Sequence, residues 1–321
     1  MAFKPPDPAT RGLWRRTPPA VFPSIMGLFG LGLAWRRAVL PYSIPEAIGE
    51  ALLGGTTLLM LFALVAYGAK IVRRPAAIVE ELRILPGRSG VSALVLCIYL
   101  MSIAIAPYAR DIARMVLMAG FAVHLGLVAL LIYVFVTGPA EQRRVTPVWH
   151  LSFVGFIVGA LAAMSFGLVS LALILFALTA VMAALIWSVS LDQILRADVP
   201  APLRPLLAIH LAPIALLGLV ALSLGLEVVA TGCAAVAALL LGWLALRARW
   251  MTEWGFSALW GAFTFPLAAT ASLWISLGGV WRIPGGVTLV AATMIVPPIA
   301  FQILRLWARG QLAVKTNAAT A

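Results

Sequence analysis

The chain has 321 residues, of which 63% are hydrophobic and only 11% are charged, and its mean hydropathy is +1.05. This composition excludes a soluble globular protein. The net charge of +12 could indicate nucleic-acid binding, but the basic residues lie in short links between apolar segments, where they set membrane topology and contact anionic lipid; no nucleic-acid partner is expected.

Ten apolar segments follow one another along the chain, each approaching the roughly 20 residues that a helix needs to cross the hydrocarbon core. The sequence therefore predicts an all-α membrane protein with ten transmembrane helices in one domain, residues 21–308. A proline-rich, disordered cytoplasmic tail is expected at 1–20 and a second cytoplasmic tail at 309–321. The ten segments are 21–38, 48–69, 91–107, 112–137, 149–165, 167–191, 206–225, 228–246, 256–278 and 286–304.

The basic residues are distributed unequally between the two ends of these segments. Eighteen of the 23 Lys and Arg residues fall in the tails and the even-numbered links. The odd-numbered links hold only Arg36, Arg37, Arg110, Arg114 and Arg282. By the positive-inside rule, both termini are predicted to lie in the cytoplasm, with the chain in a bacterial inner or a plasma membrane.

Short links make consecutive segments antiparallel neighbours, so the ten segments are expected to pair as five helical hairpins. The first members are rich in Gly and Pro, as at Gly30, Gly159, Pro213 and Pro266, whereas the second members are bulkier and aliphatic. Small residues allow close helix approach, and interior prolines bend helices. We therefore expect the odd segments to form an inner ring and the even segments an outer ring facing lipid. The alternative is that Gly and Pro are simply common in membrane helices.

The 11 Asp and Glu residues lie in links or within one or two turns of a segment end. Ion-coupled transporters usually keep an ionisable group near the middle of the membrane, so this pattern favours a passive conduit. Bent-helix dipoles and freed backbone amides could attract anions there. Arg36 and Arg37 are interpreted either as interfacial anchors or as residues that draw anions to the outer mouth.

The remaining polar groups do not indicate a cofactor. His124, His150 and His210 lie on three different segments without a nearby Cys or carboxylate set, so neither a metal nor a haem is predicted. His210 could face the pore as a pH sensor or be a buried hydrogen-bonded side chain. Both cysteines fall inside apolar segments and are expected to pack as small apolar residues. Because no nucleophile–base cluster is found, an enzyme is not predicted.

Three motifs in order along the chain resemble the tellurite-resistance/dicarboxylate transporter family, which includes bacterial tellurite-resistance channel homologues and plant guard-cell slow anion channels. They are GLFGLGLAWRR at 27–37, LRPLLAIHLAPIAL at 203–216 and WGAFTFPLAATASLW at 260–274. The resemblance implies five hairpins in a quasi-fivefold arrangement around a central pore, assembled as a homotrimer with one pore per subunit. It implies passage of small anions such as chloride or nitrate. The alternative is a C4-dicarboxylate (malate) carrier or a tellurite-related exporter.

The same resemblance implies that a phenylalanine of the ninth helix plugs the pore. By motif position this residue is Phe265, and a shift of one helical face would make it Phe263. Thr264 and Ser257 could line the lumen or bond to the preceding helical turn. His210 departs from the family pattern, in which an uncharged polar residue is expected. The pore-lining candidates are Gly30, Gly159, His210, Pro213, Thr264 and Pro266.

Overall fold

The computed structural model describes residues 14–321, which form helices and connecting loops and contain no strand. The α-helices are α1 (Phe22–Tyr42), α2 (Ala47–Arg73), α3 (Ala76–Arg83), α4 (Leu85–Ile105), α5 (Arg110–Thr137), α6 (Phe156–Met164), α7 (Val169–Arg196), α8 (Leu211–Ser223), α9 (Glu227–Leu246), α10 (Ala248–Met251), α11 (Thr264–Leu277), α12 (Arg282–Ala308) and α13 (Gln311–Lys315).

Several of these helices are preceded by a turn of different winding. The 3-10 segments Pro19–Val21, Ala201–His210 and Ala258–Phe263 run directly into α1, α8 and α11, and the π-helical segment His150–Val154 precedes α6. A further 3-10 turn, Gly279–Trp281, runs directly into α12, and another, Ala140–Arg143, lies in the link after α5.

Within residues 14–321, eight helical segments are long and apolar enough to cross a membrane. The chain is therefore an all-helical, multi-pass membrane protein. The two other predicted segments correspond to the 21-residue α1 and to the shorter apolar helix His150–Met164. The eight segments are Ala47–Arg73, Leu85–Ile105, Arg110–Thr137, Val169–Arg196, Ala201–Ser223, Glu227–Leu246, Ala258–Leu277 and Gly279–Ala308.

The helices fall into two groups by burial. We compare the buried share of the most apolar 18-residue stretch in each segment. It is 83% in Leu85–Ile105 and 89% in Ala201–Ser223, but only 22% in Val169–Arg196. The helices α1, α4, α6, α8 and α11 contact one another in a closed circuit, and we call them the inner helices. Each inner helix packs against the long helix that follows it in the chain. We call these following helices the outer helices: α2, α5, α7, α9 and α12.

Glycines bring α1 close to its neighbours. A Cβ on Gly27 would overlap the Thr264 side chain of α11, and one on Gly49 of α2 would lie 2.9 Å from the backbone nitrogen of Arg36. The outer helices instead expose large apolar side chains such as Leu125 and Leu178. Tight packing inside and apolar exposure outside are typical of a helical bundle surrounded by lipid.

One end of the bundle, which we call the terminal end, holds residues 14–21, 70–88, 138–149, 197–206, 247–260 and 309–321. Arg15 donates to the backbone oxygen of Ala321 at 3.2 Å, and Lys70 donates to that of Thr17 at 2.9 Å. Of the predicted N-terminal tail 1–20, residues 1–13 lie outside the described residues, whereas Thr17 is only 2% exposed. The predicted C-terminal tail contains α13, whose Leu312 is fully buried.

Candidate pore

A small cavity is enclosed by all five inner helices and their lead-in segments. Met26 of α1, Leu96 of α4, Val154 before α6, Pro213 of α8 and Phe265 of α11 all line it. Its volume is about 20 Å³, enough for roughly one water molecule. The lining side chains are apolar apart from His150. The centre of the bundle is therefore narrow and nearly dry.

Phe265 closes this cavity from the side of α11. It is 3% exposed, and its ring lies against Gly30 of α1, where a Cβ would come within 2.8 Å of the Phe265 Cδ2 atom. The absence of a side chain at residue 30 thus makes room for the ring. Sequence reasoning had placed both residues at the pore, and the structure brings them into contact.

The sequence suggested that Pro213 and Pro266 bend a continuous α-helix, and this prediction is wrong. Each is the third residue of its α-helix, α8 or α11, immediately after a 3-10 segment. The first helical residues have no intrahelical acceptor for their N–H groups, so a proline is tolerated there. Its ring and missing N–H would prevent an α-helix from beginning earlier. Pro213 lines the central cavity, and Pro266 is buried beside Phe265.

Three other candidates close to Phe265 in the sequence lie elsewhere. The half-buried ring of Phe263 packs edge-on against Trp260, with ring centroids 5.8 Å apart. The hydroxyl of Thr264 donates to the backbone oxygen of Gly261 at 2.7 Å and lies where α1 meets α11. Ser257 is the half-buried N-cap residue of the Ala258–Phe263 segment. None of the three borders the central cavity.

Gly159 also faces away from the cavity. A Cβ there would lie 2.7 Å from the Phe121 ring of α5 and 3.1 Å from the Tyr99 ring of α4. Gly159 therefore permits close packing of the third hairpin against the second.

The terminal-end mouth of the inner ring is also nearly closed. A gap of about 10 Å³ lies between the starts of α1, α4, the Ala201–His210 segment and the Ala258–Phe263 segment. Pro23, Pro86, Leu206 and Leu259 are among its lining residues.

His150, which lines the central cavity, begins the π-helical segment, and Gly155 directly follows that segment. A Cβ on Gly155 would overlap the backbone oxygen of Leu151 and come within 2.6 Å of the Leu96 side chain. Only glycine fits here, so Gly155 permits the wider turn. Such π-bulges are frequent at functional sites.

His150 and His210 form a buried pair that sequence reasoning missed. His150 Nε2 and His210 Nδ1 are 3.0 Å apart, and the two residues are 2% and 7% exposed. A signal did exist in the sequence, because both histidines follow a basic link and open an odd-numbered segment. Odd segments run in the same direction, so residues near their starts lie at similar depth.

His124 has a different, structural environment. Its Nε2 bonds to the backbone oxygen of Ser152 at 2.9 Å, its Nδ1 lies 3.2 Å from the Tyr99 hydroxyl, and its ring stacks on Phe156. Within residues 14–321, no group of three His, Cys, Asp or Glu side chains could hold a metal ion.

Two adjacent arginines at the end opposite the terminal end have different partners. Arg36 binds both carboxylate oxygens of Glu50 at 2.6 and 2.7 Å and also donates to the backbone oxygen of Ala104. Arg37 is half-buried and donates to Ser276 Oγ of α11 at 3.3 Å. Arg36 therefore joins α1, α2 and α4, whereas Arg37 lies across two inner helices.

No curated protein matches the chain at a significant level. The sequence profile of the SLAC1 family, described as voltage-dependent anion channel, matches residues 16–307. This range includes nearly all of the inner and outer helices and all three sequence motifs. The profile match confirms the resemblance found in the sequence, and the chain belongs to the voltage-dependent anion channel (SLAC1) family.

Proposed function

We propose that this protein is a passive channel for small anions such as chloride or nitrate, and that Phe265 is its gate. Membership of an anion-channel family supports the transport function. The observation that carries the gate is the position of the Phe265 ring, at a cavity bordered by all five inner helices. A bulky apolar side chain across a narrow passage interrupts the water file and stops ions.

In this proposal, ten segments cross the membrane as five hairpins in a quasi-fivefold arrangement, with the pore along the axis. The closed circuit of contacts among the inner helices supports that arrangement. The terminal end faces the cytoplasm, because most of the basic residues lie in the links and tails at that end. The apolar outer surfaces contact lipid and the neighbouring subunits of a homotrimer.

Electrostatics support an anion rather than a cation. Among the described residues, no Asp or Glu side chain lines the central cavity. Arg37 at the opposite mouth supplies a positive charge beside the inner helices. Passive flow is consistent with this charge distribution, because a weak electric field that attracts an anion to the pore also lets the anion leave again.

The direct test is anion-replacement electrophysiology or liposome flux with the Phe265→Ala variant. Removing the ring should raise chloride or nitrate flux several-fold. Phe263→Ala is the matched control, because it removes the same ring two residues away, outside the cavity, and should leave flux near the wild-type level. Unchanged flux in well-folded Phe265→Ala protein would remove Phe265 from the gating role.

The alternative is a secondary carrier for C4-dicarboxylates such as malate, or a tellurite-related exporter. A dicarboxylate carrier needs a substrate site with charged or amide groups, whereas among the described residues His150 is the one polar side chain that lines the central cavity. Uptake of radiolabelled malate distinguishes a dicarboxylate carrier from an anion channel. Saturable malate uptake without a chloride current would replace the channel with a carrier.

A further inference from the structure

A second, larger pocket lies beside the candidate pore at the terminal end. It has a volume of about 140 Å³ and is formed by the 144–147 link, the last turns of α7 and the Ala201–His210 segment. Apolar side chains such as Ile194, Val199 and Leu203 form much of its wall. A mostly apolar pocket with a few polar groups is the usual form of a small-molecule site.

Three polar side-chain atoms in this pocket have no hydrogen-bond partner within the described protein: Thr146 Oγ1, Ser190 Oγ and His210 Nε2. Ser190 is 5% exposed and His210 is 7% exposed. Buried polar groups are rarely left unpaired in native proteins, because each lost bond to water must be replaced. Three such groups around one cavity indicate a shared polar partner.

The three groups can all donate a hydrogen bond to that partner. The two hydroxyls are free to do so. His210 lines the pocket and its Nδ1 is already engaged by His150 Nε2, so Nε2 is the ring nitrogen left for a ligand. When His150 donates the shared proton, His210 Nε2 holds the other proton and becomes the third donor. Three donors on residues that line one pocket suit an oxygen anion.

The rim of the pocket sets the charge of the ligand. Arg144 supplies one positive charge there and Asp198 one negative charge, and both side chains are exposed. The arginine favours a single carboxylate, whereas the aspartate opposes a second one. The apolar wall suits a short hydrocarbon body. We infer that this pocket binds a small monocarboxylate, of the size of propionate or butyrate, through Thr146, Ser190 and His210.

The histidine pair connects this pocket to the central cavity. His210 borders the pocket, and His150 borders the cavity. A bound carboxylate favours the tautomer in which His150 donates its only N–H to His210. The one polar side chain of the cavity then offers an acceptor instead of a donor, which disfavours an anion there. Butyrate should therefore lower anion flux; this effect rests on the proposed channel function, whereas binding does not.

Binding is tested by saturation-transfer NMR of butyrate with the purified full-length protein. The wild-type protein should bind butyrate, and Ser190→Ala and Thr146→Val should each weaken binding about tenfold, equivalent to about 1.4 kcal/mol. Ser188→Ala is the matched control, because that exposed serine lies on the same helix and donates to the Ala184 backbone oxygen. It should bind butyrate as the wild type does.

Several outcomes would overturn the inference. They are the absence of butyrate binding, equal binding by all four proteins, and tighter binding of succinate or chloride than of butyrate. Thermal unfolding of each variant checks that lost binding is not lost folding, and two separate variants guard against one that fails to fold.

The flux assay separates this inference from the proposed function. Butyrate on the terminal side should reduce chloride flux several-fold in the wild type and in Ser188→Ala, but not in Ser190→Ala. Butyrate binding without any anion flux would contradict the channel and leave the pocket intact. Anion flux without butyrate binding would contradict the pocket and leave the channel intact. Binding together with unaltered flux would contradict the link through the histidines.

Discussion

The Phe265 ring lies directly on the backbone of Gly30, with no space for a methyl group between them. A Cβ at residue 30 would be 2.8 Å from Phe265 Cδ2 and 3.2 Å from Cε2. Gly30→Ala should therefore destabilise the protein by about 1–3 kcal/mol, the usual cost of overpacking. In a Phe265→Ala background the same change should cost less, because the ring is gone and the remaining close contact is with the Ala268 Cβ at 3.2 Å.

Thermal unfolding of the four proteins in this double-mutant cycle measures the coupling. Gly126→Ala is the control, since a Cβ at residue 126 of α5 would meet nothing within 4 Å. That change should be neutral or slightly stabilising, because alanine favours a helix more than glycine does. Equal costs of Gly30→Ala in both backgrounds would mean that the ring does not depend on this glycine.

Gly155→Ala should disrupt the π-helical segment before α6. The new Cβ would overlap the backbone oxygen of Leu151, which cannot move as a flexible side chain can. We expect a loss of at least about 2 kcal/mol, at the upper range for single substitutions. Gly232→Ala in α9, where a Cβ has open space, should leave the unfolding temperature nearly unchanged. Similar unfolding temperatures for the two variants would show that residues 150–154 can rewind at no cost.

Lys70 and Glu81 form a fully buried ion pair at the terminal end. The Glu81 carboxylate also accepts a hydrogen bond from the Tyr67 hydroxyl at 2.5 Å, and burial raises the pKa of Glu81 although Lys70 opposes that shift. Glu81→Gln should destabilise the protein by about 3–5 kcal/mol, because it leaves Lys70 buried without its counter-charge.

The double variant Lys70→Met/Glu81→Leu should be more stable than Glu81→Gln, since it buries no charge. Thermal unfolding in detergent gives the comparison. Asp192→Asn removes one partner of the exposed Arg196–Asp192 pair and should change the unfolding temperature little. A double variant less stable than Glu81→Gln would indicate that the ion pair itself stabilises the fold.

Arg37→Gln should reduce anion flux several-fold at low ionic strength if Arg37 attracts anions to the mouth opposite the terminal end. The reduction should shrink as salt rises, because salt screens the attraction between Arg37 and anions in the surrounding water. Arg114→Gln removes a charge at the same end on the outer helix α5 and should have little effect. Equal reductions in both variants would point to net charge rather than to the position of Arg37.

The first members of the hairpins were expected to be the inner helices because of residues such as Gly30 and Pro266, but Gly and Pro are about as frequent in the outer helices, as at Gly54 of α2 and Pro297 of α12. The starts of the inner segments could not be predicted from hydropathy alone. Residues 91–107 were expected as the third segment, but α4 begins at Leu85. It includes Arg88, whose guanidinium packs over the Phe135 ring and donates to the Leu82 backbone oxygen. Contacts within the protein therefore stabilise a charged residue in the first turn of α4, and hydropathy places the start of this helix too late.

The candidate site was predicted only as far as two of the sequence motifs, 203–216 and 260–274, could place it. Phe265 and Pro213 border the cavity, but Thr264 and Gly159 contact neighbouring helices because a helix presents only one face to the axis. The His150–His210 contact joins residues 60 positions apart. Two histidines near the starts of parallel segments lie at a similar depth in the membrane, which the sequence indicates. Whether their rings meet depends on the rotation of each helix about its axis, and the π and 3-10 turns set that rotation.

The winding of Ala201–His210 also affects how far the fourth inner segment reaches. A 3-10 helix rises about 2.0 Å per residue and an α-helix about 1.5 Å, so these ten residues extend about 5 Å further than an α-helix of the same length. With Pro205 inside the segment, regular α-winding from Ala201 is blocked. Pro205 and Pro213 together therefore affect the thickness of bilayer that this segment can match.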